Sequence, residues 1–219
     1  MKTKPLRALM LIALSLCAFA AMAGPPLLCH PFDTAGAPSL AWGGPRWNQA
    51  RVDYNLRSLS ADTEALLKAN TPVIARMETL RRAAIYASRD AAIARQLLSR
   101  LDARIARAAT PESQAMTRFD SGYFTETLQE VVRLQGYDMP GIGKADTSGL
   151  RAMLAKLDGS AQVDAAIKLR PDDPSMRFAA ALIAVADQRK SAYATHARIA
   201  RAGASNDRLL ARNVQQIAN

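Results

Sequence analysis

The stretch RDAAIARQLLSRLDARIARAA, residues 89–109, decides the fold class. Its apolar positions Ile93, Leu97, Leu101, Ile105 and Ala108 recur at intervals of four, four, four and three. That spacing places them on one stripe of an α-helix and turns the intervening Arg, Gln, Ser and Asp outward. Directly after it, Thr110-Pro111-Glu112 supplies a hydroxyl N-cap followed by a proline in the first turn, so a new helix opens there. Phe119, Tyr123, Phe124, Leu128 and Val131 form its apolar side, and Gly136 ends it. Upstream, Thr71-Pro72 opens a helix with Val73, Met77, Leu80 and Ala84 on one face. The segment Asn48 to Asn70 predicts one long helix or two short ones, with Val52, Leu56, Leu59, Leu66 and Leu67 as apolar positions.

Beyond Gly136, Pro140, Gly141 and Gly143 mark a loop over Tyr137 to Asp146. Further helices are expected at 147–158, 161–170, 174–188, 190–202 and 207–218, with Asp173-Pro174 as a cap and first-turn pair. Alternating strand patterns are absent, and Ala, Leu and Arg dominate over residues that favour strands. The class is therefore all-α, an array of antiparallel helix pairs stacked as a short solenoid or bundle, with the helical domain spanning 47–219.

The whole chain has 219 residues, 49% hydrophobic and 22% charged, with a formal net charge of +10. This composition excludes a disordered tail and suits a folded core. Its first 23 residues have another character. Lys2, Lys4 and Arg7 precede an apolar stretch from Leu9 to Ala20, and Ala21-Met22-Ala23 supplies small residues ahead of Gly24. This is the pattern of a secretory signal peptide, so export to the bacterial periplasm, or secretion, is expected. Leu16 and Leu28 precede Cys17 and Cys29, where a lipid-anchored cysteine would follow a small residue. No later stretch is apolar enough for a transmembrane span.

Residues 24–46 carry five prolines and four glycines, which exclude a helix or a central strand. They also carry Leu27, Leu28, Phe32, Leu40 and Trp42, with Trp47 just beyond. A flexible linker would be polar. The reading is an extended Pro/Gly-rich arm whose apolar side chains pack along the helical body.

In the last third, Ala165-Ala166-Ile167-Lys168-Leu169-Arg170-Pro171-Asp172-Asp173-Pro174 resembles the junction between two tetratricopeptide (TPR) units. A shift of 33 positions sets Ala204-Ser205-Asn206-Asp207 opposite Pro171-Asp172-Asp173-Pro174, close to the family period of roughly 34. The resemblance covers 147–219 and implies stacked helix pairs that present a groove to another protein. The usual Trp and Leu-Gly positions of the family's first helix are missing. Leu28-Cys29-His30-Pro31-Phe32-Asp33 resembles the mature start of uncharacterised exported bacterial proteins, which implies an envelope setting and no activity.

Chemistry is sparse. Gly141-Ile142-Gly143-Lys144 lacks the phosphate-loop pattern, because Asp138 stands where a glycine is required and Ala145 where Ser or Thr is required. With only His30 and His196, and no paired-Cys or His-Glu-x-x-His spacing, no metal site and no cofactor are expected. Cys29 is the candidate reactive thiol, with structural burial, an intermolecular disulfide and a redox role as its possible uses.

Eight arginines against three acids lie between Arg76 and Arg107. Arg100, Arg104 and Arg107 share one helix face, which fits either an ordinary solvated surface or a seat for carboxylates or phosphates. Lys156, Arg177 and Phe178 are the candidate groove residues of the repeat-like region. Nucleic acid is disfavoured by export and by the lack of a recognition module. The expected function is a non-catalytic helical-repeat scaffold binding another, possibly acidic, envelope protein. A thiol accessory using Cys29 and an electrostatic binder of anionic envelope polymers are the alternatives.

Overall fold

The computed structural model describes residues 24–134 and 143–217; residues 1–23, read above as a signal peptide, and most of the 137–146 loop lie outside them. The regular elements among the described residues are all helices: α1 (Leu59–Leu66), α2 (Val73–Ala87), α3 (Ala91–Arg107), α4 (Pro111–Arg133), α5 (Thr147–Leu154), α6 (Gly159–Leu169), α7 (Pro174–Ala186), α8 (Lys190–Gly203) and α9 (Arg208–Asn213). Short 3-10 turns at Leu56–Ser58, Ala204–Asn206 and Val214–Ile217 complete the elements. No helix among the described residues is long and apolar enough to cross a membrane.

Helix starts follow side-chain caps. Asp90, Thr110, Asp146, Asp158, Asp173 and Asp207 each accept a backbone N–H one to three residues into the helix they open. Each satisfies a donor that the first turn leaves without a partner. Thr110 and Ser113 form a reciprocal capping box ahead of α4.

α2 and α4 are the central helices. Every residue of α2 from Val73 to Ala87 is buried except the half-buried Arg82. α4 packs on α2, α3, α5 and α6, and α7 pairs with α8 through a three-residue loop as an antiparallel hairpin. The α4–α6 crossing is close because both helices present glycine. A Cβ on Gly122 would lie 2.6 Å from the Gly159 carbonyl oxygen, and one on Gly159 would lie 2.6 Å from that of Gly122.

Two sequence expectations change. The helix expected from Asn48 begins only with the 3-10 turn at Leu56, and Val52 is 82% exposed in a loop. The backbone there has other partners. Arg51 N–H donates to the Tyr86 hydroxyl, the Trp47 carbonyl accepts from Arg81, and the Asn55 side chain caps the turn at Arg57 N. In the region 147–219, α5 lies against α3 and α4, whereas α6 lies on α4 and α7. The pairing of α5 with α6 that a first repeat unit requires is replaced by the glycine-lined contact of α6 with α4.

Candidate functional site

Residues 24–55 contain no helix and run across the body, from α4 over α2 to α9. Leu27, Leu28, Phe32 and Leu40 are buried in the same core as the helices. Pro25 and Cys29 close a single turn through Cys29 N–H to the Pro25 carbonyl, 3.0 Å.

What holds this segment is charge inside the protein. Glu78 and Arg81, both completely buried, form a bidentate pair at 2.7 and 2.8 Å one turn apart on α2. Arg82 adds a third bond to Glu78 at 2.6 Å. The free capacity of these groups is spent on the segment's backbone. Phe32 N–H donates to Glu78 Oε2 at 3.0 Å, Arg81 donates to the Leu28 carbonyl at 3.0 Å, and Arg82 donates to the Leu40 carbonyl at 2.6 Å. Both guanidiniums also lie 5.4 Å from the Trp42 ring centre. Burial pushes the Glu78 carboxyl up, but the hydrogen bonds and charges of Arg81 and Arg82 outweigh it, so the carboxyl lies below its usual range.

Between these contacts with α2, the segment is fixed on α9 at Asp33. Asn213 accepts from Asp33 N–H at 2.8 Å and donates to the Asp33 carbonyl at 2.9 Å, while Arg212 pairs with the Asp33 carboxylate at 2.8 Å. Phe32 meets Phe178 edge to face, with ring centres 6.0 Å apart.

Elsewhere in the core, Asp120 of α4 is completely buried and receives Arg76 at 2.7 Å and Arg104 at 3.0 Å. Arg76 also reaches the carbonyls of Thr71 and Lys68, and Arg104 reaches that of Leu67. These bonds give partners to carbonyls of the connection between α1 and α2, which no helical N–H reaches.

Two further α4 carboxyls have no cation within ion-pair distance among the described residues. Glu126 accepts from Ser160 N–H at 2.7 Å, and burial pushes its carboxyl up to about 7. Glu130 accepts from Leu27 N–H at 2.9 Å, and burial pushes it up to about 8. One oxygen of each, Glu126 Oε2 and Glu130 Oε1, is buried with no hydrogen-bond partner among the described residues.

The residues singled out from sequence fall into three groups. Arg100 and Arg107 lie on the exposed stripe of α3, Arg100 pairing with Glu64 of α1 at 3.0 Å and Arg107 bonding only its own Ala103 carbonyl. Lys156 is exposed just beyond α5, and the half-buried Arg177 donates to the Pro171 carbonyl. Arg104 and Phe178 are corrections to the expected surface. Arg104 turns inward to Asp120, and Phe178 is completely buried against Phe32, because each meets a partner distant in sequence.

Cys29 is half-buried, and its thiol is pushed up to about 11 by burial and by the nearby Glu130, against the pull of Arg81. That opposes the thiolate a reactive cysteine needs. His30 and His196 are both lowered by burial and lie in separate parts of the fold. Among the described residues, no three His, Cys, Asp or Glu side chains come together as a metal site requires.

The buried set Arg76, Glu78, Arg81, Asp120, Glu126 and Glu130 escaped sequence reasoning, which assigns charge on a helix to solvent. The available signal was the spacing of Glu78 with Arg81 and Arg82 on a helix apolar on its other sides. No known protein family, curated protein or solved structure matches the chain.

Proposed function

We propose that the chain is an exported, periplasmic scaffold of TPR-like helix pairs that binds an acidic surface of another envelope protein through α3. The observation that carries this reading is the solvent stripe of α3. Arg100 and Arg107 stand two turns apart on it, and Glu64 supplies the one cross-helix ion pair along it among the described residues. Guanidiniums held on a rigid helix suit carboxylates, which they bind in a fork. The α7–α8 hairpin and the cap-and-proline start of α7 support the repeat reading of the C-terminal region. Leader-like residues 1–23 support export.

The test is capture from an envelope extract by the wild-type protein and by the double variant Arg100→Glu with Arg107→Glu, washed at low and high salt. A discrete protein retained by the wild type and lost from the variant is the expected result. Equal retention by both removes α3 from the interface. Glycan or lipid that elutes with salt replaces the protein partner with an anionic polymer.

A further inference from the structure

Two carboxyls hold the N-terminal segment, and they are built oppositely. Glu78 Oε2 takes Phe32 N–H, and its charge is matched by Arg81 and Arg82. Glu130 Oε2 takes Leu27 N–H one turn earlier in the segment, is 3% exposed, and has no ion pair among the described residues. Arg133 on the same helix, which pulls on this carboxyl, pairs with Asp187 at 3.1 Å instead. A buried carboxylate without a cation is costly, whereas a buried carboxylic acid is not.

From this contrast we infer that the turn Pro25–Cys29 is a latch that is closed while Glu130 is protonated and opens as Glu130 ionises, hinging at the Phe32–Glu78 bond, which stays shut. In the open state Glu130 meets water and regains an ordinary carboxylate, so each rise in pH favours opening until the closed form has also ionised. Opening uncovers Cys29 and the seat of Leu27 and Leu28 on α4.

The groups around Glu130 agree with this direction. Burial is the dominant influence and raises its carboxyl to about 8; Arg133 and the Leu27 and Leu28 amides pull it down, and Asp187 at the end of α7 pushes it up. From the segment it faces the Cys29 thiol, and on its own helix the Tyr123 hydroxyl, which is buried with no hydrogen-bond partner among the described residues. From α2, Arg81 and Glu78 lie around the same thiol and phenol. Arg81 is committed to Glu78 and to the Leu28 carbonyl.

Residue-resolved amide hydrogen exchange on the purified protein, corrected for the intrinsic pH dependence of exchange, tests the latch. Between pH 5.5 and 8.5, protection of Leu27, Leu28 and Cys29 should fall by about 100-fold, while that of Phe32 stays constant. Glu130→Gln, which keeps an acceptor oxygen for Leu27, should flatten the response; Glu126→Gln should leave it intact. Three results overturn the inference. They are constant protection at Leu27, a parallel loss at Phe32, and a response that survives Glu130→Gln. If the Gln variant does not fold, the Leu27-to-Phe32 contrast in the wild type still decides.

Discussion

Arg104 of α3 donates to Asp120 of α4 at 3.0 Å, and the same carboxylate oxygen takes Arg76 of α2 at 2.7 Å. One buried acid thus ties three helices together. Burial pushes the Asp120 carboxyl up, and the two guanidiniums offset this only in part. Removing a partner from such a site strands a charge in the core. Arg76→Ala is therefore expected to cost about 3–5 kcal/mol in urea unfolding, and the partly exposed Arg104→Ala distinctly less. An Arg76→Ala protein of wild-type stability would mean that Asp120 does not depend on its cations.

The α4–α6 crossing makes a sharper steric prediction. Gly122→Ala and Gly159→Ala each drive a methyl group into the opposing backbone carbonyl. Backbone cannot rotate away as a side chain can, so the helices must separate. Each change should cost about 1–3 kcal/mol by chemical denaturation. Gly36→Ala is the control for space, since nothing lies within 4 Å of its Cβ position and only its left-handed backbone opposes the change. A Gly122→Ala variant as stable as the wild type would show that the crossing is looser than these distances.

How far the sequence carries the fold follows from which interactions are local. Asp90, Thr110, Asp173 and Asp207 cap helices within three residues of themselves, so helix starts can be read along the chain. The α3 stripe is equally local. Leu97 and Leu101 are completely buried, and Arg95 and Arg107 are exposed, as the periodicity requires. Arg104 defeats the same reasoning, because the acid that turns it inward lies on the next helix. Phe178 is a groove residue by the repeat resemblance and core in the structure, because Phe32, far away in sequence, packs on it. The Asn48 start failed for a related reason. Val52 fits a helical spacing, but Tyr86, Arg81 and Asn55 offer that backbone other hydrogen bonds.

Stability should fall as the pH rises from 6.5 to 8.5. In the folded protein burial raises Glu126 from 4.5 to about 7 and Glu130 from 4.5 to about 8. The unfolded chain has released both protons well below this window, so the folded state holds the excess and loses its advantage as pH climbs through 7 and 8. His30 and His196, both lowered by burial, act in the opposite sense only where the unfolded chain protonates, below about pH 6.5. Glu78, lowered by its arginines, contributes stability that is lost only as the pH falls through the acid range. Calorimetry should record a fall of several degrees in Tm across the window, corresponding to about 2–3 kcal/mol. Glu126→Gln should make that fall smaller. A Tm that holds constant or rises from pH 6.5 to 8.5 would contradict the burial of these two acids.

Cys29 gives the last check on the same region. Its thiol is raised from 9.0 to about 11, first by burial and then by Glu130, so at pH 7 the folded protein holds very little thiolate. Reaction follows the thiolate, and the half-buried sulfur is also shielded by Gly24, whose Cβ position lies 3.3 Å from it. A disulfide reagent should modify Cys29 about 100-fold more slowly in native buffer at pH 7 than in denaturant. Glu130 raises the thiol only when ionised, and with its own carboxyl at about 8 it is mostly protonated at pH 7, so Glu130→Gln should not speed the native reaction there and should leave the denatured rate unchanged. Native modification as fast as the denatured rate would place the sulfur in water, and would restore the thiol-accessory reading that this packing argues against.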